Sequence, residues 1–271
     1  MPAAAAPAAP GAHAALPACF EFEAPAPWRA IEFISDLHLC EAMPRTFEAW
    51  VAYLLHTPAD AVFILGDLFE LWVGDDMRTR DFEGRCVQAL KQAAGRRQLA
   101  FMVGNRDFLL GAEMRRESGL MHLPDPTLLR AWGQRVVLSH GDALCLADAP
   151  YQAFRRQVRD KAWQEAFLAR PLSERLDIAA QMRRTSDTRR RVDGDASVDV
   201  DATEALRWLH AAGASTLVHG HTHRPGSHAL AHGFVRYVLG DWDLDQGARA
   251  EVLRWSRDGF TRRPLAPSTR G

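Results

Sequence analysis

This sequence of 271 residues has no closely spaced cysteine pair, a net charge close to zero and no long apolar run. Its four cysteines are widely scattered without a CxxC pair, which indicates reduced intracellular thiols and excludes a disulfide framework. The 33 Lys and Arg residues nearly balance 34 Asp and Glu residues, giving a formal net charge of −1. This balance excludes a broadly cationic protein that binds nucleic acid or membranes by charge alone. No run of about 18 or more uncharged apolar residues occurs, so no membrane-spanning helix is predicted.

The first 28 residues differ in composition from the rest of the chain. They include twelve Ala and six Pro, and no Lys, Arg, Asp or Glu precedes Glu21. A signal peptide is disfavoured because the segment has no basic start and prolines interrupt its apolar part. We therefore predict that residues 1–28 are a disordered extension outside the fold.

From Ile31 onward, short β-rich runs alternate with amphipathic helical stretches such as 47–55 and 82–94. Near-continuous apolar strands that alternate with helices indicate a layered α/β fold with both faces of the sheet covered. The predicted strands are Ile31–Ser35, Ala61–Leu65, Leu99–Val103, Val136–Ser139, Thr216–Val218, Phe234–Leu239 and Ala250–Trp255.

Residues 150–200 interrupt this alternation with a helical pattern. Large apolar residues recur there at helical spacing, among them Trp163, Phe167, Leu172 and Met182. Between positions 155 and 191 there are eleven Lys or Arg residues against five Asp or Glu residues. Taken alone, this segment is best interpreted as a solvated helical hairpin with one packing face.

Five of the predicted strands are followed immediately by side chains that can bind a metal. Because the carboxyl ends of strands in an open α/β sheet meet at one edge, groups that are distant in sequence can converge there. Asp, His and Asn suit Mn²⁺, Fe²⁺ or Zn²⁺, and the lack of a thiolate weighs against a structural zinc site. Each group alone is a weak signal, but their conjunction predicts a divalent metal centre. The groups are Asp36-Leu37-His38, Gly66-Asp67, Gly104-Asn105-Arg106-Asp107, His140-Gly141-Asp142 and His219-Gly220-His221-Thr222-His223.

This order of motifs resembles the calcineurin-like metallophosphoesterase superfamily over roughly residues 30–245. The resemblance implies a four-layer αββα sandwich that holds two metal ions. It also implies that a water bridging the ions attacks a phosphoester, with no covalent protein nucleophile. One ion would be held by Asp36, His38, Asp67 and His223, and the other by Asp67, Asn105, His140 and His221.

An arginine follows Asn105 where many relatives carry a histidine. Arg106 cannot act as a general acid, but its guanidinium group can clamp a diphosphate. An acidic leaving group such as a sugar phosphate needs little protonation, so Arg106 favours a pyrophosphate over an alkyl phosphomonoester. The alternative is an arginine that positions phosphate in another kind of phosphodiesterase.

Longer strings resemble one family more closely, the UDP-2,3-diacylglucosamine diphosphatases of lipid A biosynthesis in Gram-negative bacteria. The strings are ISDLHL at 34–39, GDLFELW at 66–72, GNRDFLL at 104–110, HGD at 140–142, YQAFR at 151–155 and HGHTHRP at 219–225. The resemblance implies hydrolysis of UDP-2,3-diacylglucosamine at the α-phosphorus, giving UMP and 2,3-diacylglucosamine 1-phosphate. Two Mn²⁺ ions per chain are expected, with Fe²⁺ or Zn²⁺ as alternatives. Substrate contacts are implied for Asn105, Arg106, Asp148, Ser186, Arg190 and His221, with Arg106 as the phosphate clamp.

Under this resemblance the helical insertion becomes a lid. Residues 29–149 and 201–260 would form the core, 150–200 the lid, and 261–271 a C-terminal tail. We expect a cytoplasmic protein, peripheral on the inner membrane, with no nucleic-acid partner and no obligate protein partner. The alternatives are a metallophosphoesterase of nucleotides or cyclic nucleotides, and a binding protein that has kept the fold without catalysis.

Overall fold

The computed structural model describes residues 19–193 and 199–265, except for the side chains of 183–193. The strands in these ranges are β1 (Phe20–Glu23), β2 (Ala30–Ile34), β3 (Ala61–Leu65), β4 (Gln98–Met102), β5 (Met121–His122), β6 (Thr127–Ala131), β7 (Gln134–Ser139), β8 (Thr216–His219), β9 (Gly226–Ala231), β10 (Phe234–Val238), β11 (Glu251–Ser256) and β12 (Gly259–Pro264). The helices are α1 (Pro44–His56), α2 (Asp81–Ala94), α3 (Ala112–Ser118), α4 (Ala149–Arg159), α5 (Lys161–Leu168), α6 (Leu172–Asp193) and α7 (Ala202–Ala212).

The strands form two six-stranded sheets within the described ranges. The first sheet has the order β12-β11-β2-β3-β4-β5, and the second has the order β1-β6-β7-β8-β10-β9. Strands β2, β3 and β4 are parallel neighbours in the first sheet, and β7 and β8 are parallel neighbours in the second. Because neighbouring parallel strands end on the same side, each sheet presents several carboxyl ends along one edge.

In the part of the chain that the structure describes, three apolar cores separate four layers. Ile64 of the first sheet faces Trp50 of α1 and Leu90 of α2 in one core. Phe63, its neighbour in β3, points the other way into the core shared with the second sheet, because successive side chains of a strand alternate in direction. A third core joins the outer face of the second sheet to α7 through Trp208. The predicted four-layer αββα sandwich is confirmed.

The predicted disorder of residues 1–28 is wrong for the part of this segment that the structure describes. Strand β1 (Phe20–Glu23) pairs in parallel with β6 at the edge of the second sheet. The ring of Phe22 lies 6.0 Å from that of Trp28 and 5.9 Å from that of Phe63, in the core between the sheets. The alternation of Phe and Glu in this stretch has the period of a half-buried strand and is the signal that the sequence analysis missed. Residues 1–18 lie outside the described part.

The prediction that residues 261–271 form a tail is wrong as far as Pro264. Strand β12 (Gly259–Pro264) pairs along its whole length with β11 in antiparallel register. Its arginines contribute ion pairs as well, since Arg262 binds Glu251 and the Nη1 atom of Arg263 lies 3.2 Å from an oxygen of Glu32. Backbone pairing and charge therefore hold a strand whose apolar pattern is too weak to predict it.

The described part of the insertion contains three helices, α4, α5 and α6, and not a hairpin. Phe167 of α5 is buried at 6% exposure in the core beneath the first sheet's helices. Arg175 of α6 is also buried, and its guanidinium group binds Asp76 and the carbonyl of Val73. These contacts attach the insertion firmly to the core. In the described part of the chain, each helix is too short or too polar to cross a bilayer.

Candidate metal centre and active site

The seven side chains predicted to bind metal lie together where strands of both sheets end. They follow the strands in the predicted order, with Asp36 and His38 after β2, Asp67 after β3, Asn105 after β4, His140 after β7, and His221 and His223 after β8. The site therefore forms at the junction of the two sheets, and each sheet contributes part of it.

The backbone at this junction is strained. Five of the seven residues have a positive φ: Asp36 (53°), His38 (49°), Asp67 (52°), His221 (67°) and His223 (51°). Residues other than glycine rarely adopt this left-handed backbone conformation, which costs about 1–3 kcal/mol per residue. Trp132, in the turn between β6 and β7, is the one other such residue in the part of the chain that the structure describes. Backbone strain that is concentrated at the candidate ligands points to a functional site.

One group of potential ligands comprises Asp36, His38 and His223, whose ligand atoms all lie within 4.8 Å of one another. The Nε2 atom of His223 is 3.3 Å from Oδ1 of Asp36 and 3.3 Å from Nε2 of His38. Asp36 is fully buried, whereas the His223 side chain is 42% exposed. The group thus reaches from the interior to the surface, where a ligand can enter.

A second group comprises Asp36, Asp67 and His140, again within 4.8 Å of one another. Asn105 extends this group, because its Oδ1 atom lies 2.9 Å from Nε2 of His140 and 2.8 Å from Nδ1 of His221. Asp36 belongs to both groups in this arrangement. The bridging role of Asp67 stays a prediction.

Neighbouring charges determine the protonation of these side chains. Burial raises the pKa of Asp36, but the hydrogen bond with His223 and the positive charge of His140 outweigh burial and lower it. Burial lowers the pKa of His140, but Asp67 and further carboxylates raise it to about 9. Burial and the charge of His140 lower the pKa of His221 to about 3. The metal-free centre therefore holds a proton on His140 at neutral pH, and cation binding would displace it.

Asp107 holds the two loops that carry Asp67 and Asn105. It is fully buried. One carboxylate oxygen accepts hydrogen bonds from the backbone N–H groups of Gly104 (2.7 Å) and Asp67 (3.3 Å), and the other accepts from that of Leu68 (2.8 Å). The sequence places Asp107 two residues after a candidate ligand but gives no signal for this role, because all of its partners except Gly104 are backbone groups of the loop after β3.

Two glycines allow the ligand loops to approach one another closely. A Cβ atom at Gly104 would lie 2.1 Å from Oδ1 of Asp67, and one at Gly220 would lie 2.3 Å from Oδ2 of Asp36. Any side chain at either position would displace a candidate ligand. Gly104 and Gly220 therefore allow the candidate ligands Asp67 and Asp36 to pack against neighbouring loops.

Arg106 lies beside the centre with a free donor. Its backbone N–H donates to Oδ1 of Asp67 at 2.8 Å, and its Nη1 atom lies 3.9 Å from Oε1 of Glu70. The Nε atom is buried and has no hydrogen-bond partner among the described residues. A buried donor without a partner is costly unless a ligand satisfies it, so this geometry suits an anion bound next to the metal ligands.

Helix α4 forms one wall of the site. The hydroxyl of Tyr151 donates to Oδ2 of Asp142 at 2.7 Å, and Nε of Arg155 donates to the same oxygen at 2.8 Å. The ring of Tyr151 stacks on that of His221, with centroids 5.9 Å apart. The negative charge of Asp142 therefore attaches the first helix of the insertion directly to the ligand loops.

The three substrate contacts predicted on the insertion or just before it have different outcomes. Asp148 accepts a hydrogen bond from the N–H of Tyr151 at 2.9 Å and caps helix α4. Its position fits a structural role, and its contact with substrate stays a prediction. Ser186 and Arg190 fall within α6, but their side chains lie outside the described residues.

A family model described as calcineurin-like phosphoesterase matches residues 31–225. UDP-2,3-diacylglucosamine hydrolase of Aromatoleum aromaticum is 45% identical to this chain, and the similarity covers 84% of this chain and 93% of that protein. The chain belongs to the UDP-2,3-diacylglucosamine hydrolase family of calcineurin-like phosphoesterases. Relatives of the same name occur in Chromobacterium violaceum (43% identity, covering 87% of this chain and 99% of that protein) and Stenotrophomonas maltophilia (42% identity, covering 84% and 96%).

Membership in this family of phosphoesterases confirms the resemblance that the motifs predicted. The family match extends from β2 to the segment after β8, so it includes all seven candidate ligands. Divalent metal binding follows from the calcineurin-like family, and the two groups of converging ligands agree with it.

Proposed function

We propose that the chain hydrolyses UDP-2,3-diacylglucosamine at its α-phosphorus, giving UMP and 2,3-diacylglucosamine 1-phosphate for lipid A biosynthesis. The observation that carries this proposal is its 40–45% identity to hydrolases of that name over most of both lengths. The convergence of the ligands at one edge of the sandwich supports a catalytic protein over one that has kept only the fold.

Two Mn²⁺ ions are the cofactors we assign to this centre. Carboxylate, imidazole and amide donors suit Mn²⁺. The ligand atoms of each observed group, Asp36 with His38 and His223 and Asp36 with Asp67 and His140, are close enough to share one ion. Asp36, His38, Asp67 and His223 would hold one ion, and Asp67, Asn105, His140 and His221 the other. When bound, two such ions lower the pKa of a shared water and neutralise charge on the phosphoryl oxygens.

The protein's own side chains orient the diphosphate. The Nδ1 atom of His140 lies 2.9 Å from the carbonyl of Leu65, which leaves Nε2 directed at the ligand cluster. Arg106 would donate its unpartnered Nε–H to a phosphate oxygen and stabilise the charge that develops in the transition state. It need not supply a proton, because a sugar phosphate is an acidic leaving group.

The insertion supports a lipid substrate at a membrane surface. Three of the four exposed large apolar side chains in the described part lie on the insertion or just before it, namely Leu146, Leu168 and Met182. Phe167, which is buried, packs the helix against the core instead. We propose that the insertion is a lid over the acyl chains, and that the protein is cytoplasmic and binds the inner membrane peripherally through this apolar and basic surface.

The decisive experiment uses the full chain stripped of metal, with UDP-2,3-diacylglucosamine in mixed micelles, with and without Mn²⁺. Release of UMP and lipid monophosphate that depends on Mn²⁺ would support the proposal. In water labelled with heavy oxygen, the label should appear in UMP, since attack occurs at the α-phosphorus.

Two controls sharpen this assay. Asp67→Ala should abolish turnover, and a Leu168→Gln, Met182→Gln variant should lose activity on the lipid substrate but retain it on a soluble aryl phosphodiester. Cleavage of the aryl phosphodiester alone by the unmodified chain would refute the lipid substrate and favour a nucleotide phosphodiesterase. Inactivity on both would favour the binding protein.

A further inference from the structure

Glu70 occupies a fixed position between two parts of the site. It follows Asp67 by three residues, and its backbone N–H donates to the carbonyl of Leu39 at 3.2 Å. Leu39 and Phe69 form a parallel bridge that continues the pairing of β2 with β3 beyond the strands. The loop that carries Glu70 is therefore held in register with the loop that carries His38.

One carboxylate oxygen of Glu70 contacts a candidate ligand. Oε2 lies 3.1 Å from Nδ1 of His38, and the other ring nitrogen of His38 faces His223. Nδ1 is buried and makes no hydrogen bond among the described residues, so the contact is an electrostatic one. The negative charge of Glu70 favours the tautomer with the proton on Nδ1, which leaves the lone pair of Nε2 for a metal ion. Glu70 is only 16% exposed, so water competes weakly for this contact.

The second oxygen of Glu70 faces the candidate phosphate clamp. Oε1 lies 3.9 Å from Nη1 of Arg106, whose Nε has no hydrogen-bond partner among the described residues. Because the backbone of Arg106 is also tied to Asp67, the side chain is restrained at both ends. One carboxylate thus contacts both a metal ligand and the group that would hold phosphate.

We propose that Glu70 is a positioning residue that orients His38 for the cation and Arg106 for the phosphate, and so couples the two binding events. This inference rests on the proposed function, because it assigns the cation and phosphate sites to these residues. A carboxylate partner of a metal-binding histidine typically changes metal affinity about 10–100-fold when it is removed. Because Glu70 also contacts Arg106, we expect phosphate binding to depend on the Glu70 side chain as well.

The test compares Glu70→Gln with the unmodified chain and with Glu117→Gln. Glutamine keeps the shape of Glu70 but removes its charge. Glu117 forms a similar ion pair, 3.0 Å from Nε of Arg78, but lies outside the site. Calorimetric titration of the metal-free proteins with Mn²⁺ should show affinity for one site about 10–100-fold weaker in Glu70→Gln, with Glu117→Gln unchanged. Melting temperatures of the metal-free proteins should be similar in all three.

Inorganic phosphate then tests the link to Arg106 in the Mn²⁺-saturated proteins. Arg106→Ala should weaken phosphate binding more in the unmodified chain than in Glu70→Gln, by about threefold or more, because the two side chains act together. Unchanged Mn²⁺ affinity in Glu70→Gln would overturn the positioning of His38. Strictly additive losses would overturn the coupling. Neither titration uses UDP-2,3-diacylglucosamine, so failure of the proposed substrate would be seen separately.

Discussion

Replacing Asp107 by Asn should destabilise the protein and weaken metal binding together. The carboxylate accepts backbone hydrogen bonds on both oxygens, from Gly104 and Asp67 on one and from Leu68 and Phe69 on the other. Asn keeps one acceptor and turns an NH₂ group toward the remaining donors, so two buried N–H groups lose their partner. At about 1–3 kcal/mol for each unsatisfied buried group, the expected loss is about 2–6 kcal/mol. This is a large fraction of the ~5–15 kcal/mol that stabilises a typical domain.

Urea unfolding of the metal-free protein measures the stability loss, and calorimetric Mn²⁺ titration measures the binding loss. The matched control is Asp75→Asn. Asp75 also accepts hydrogen bonds from backbone N–H groups, those of Gly111 at 2.7 Å and Met114 at 3.0 Å, but it holds helix α3 rather than a ligand loop. It should lose stability while retaining Mn²⁺ affinity. If Asp107→Asn bound Mn²⁺ as tightly as Asp75→Asn does, the inference that Asp107 holds the ligand loops would be refuted.

Two other outcomes follow from the contacts around the centre. Tyr151→Phe should lower the free energy of unfolding in urea by only about 0.5–1.5 kcal/mol, because Arg155 still pairs with Asp142. The same variant should retain its kcat/KM, because the ring remains against His221. Tyr151→Ala removes the ring and should lower kcat/KM clearly. Equal kcat/KM in both variants would show that the ring is not needed. Free Mn²⁺ at 100 times its dissociation constant should stabilise the fold by about 2.7 kcal/mol per site in scanning calorimetry. At the same free Mn²⁺ concentration Asp67→Ala should gain much less, and an equal increase in that variant would contradict the assigned ligands.

The central part of the fold is predictable because its strands are buried on both faces. The apolar run Ala61–Leu65 has the same limits as β3, and it needs no partner to be recognised. Strand β12 differs, since Thr261, Arg262 and Arg263 give no apolar pattern. Its existence depends on pairing with β11 and on carboxylates that lie elsewhere in the sequence. Edge strands of this kind require knowledge of the partner.

The candidate ligands are predictable for a similar reason. Each follows a recognisable strand, and the topology of parallel strands then brings the ends together. Asp107 and Glu70 are not predictable in this way. The role of Asp107 depends on backbone N–H groups of the loop after β3, and that of Glu70 depends on His38, which follows β2. Helical spacing in the insertion also fails to separate buried Phe167 from exposed Met182, since period alone does not say which face packs against the core.

The strain in the ligand loops explains why these supporting contacts are needed. Five non-glycine residues there have positive φ, a conformation that costs about 1–3 kcal/mol per residue and less for Asp and His than for bulkier types. Loops that carry this cost would relax unless the surrounding structure fixed them. Asp107 fixes the loop of Asp67, and the side chain of Asp36 accepts the N–H of His221 at 2.9 Å. The protein thus holds its candidate ligands in a strained arrangement through hydrogen bonds of its own, so the geometry that we propose receives the cations is already present in the fold.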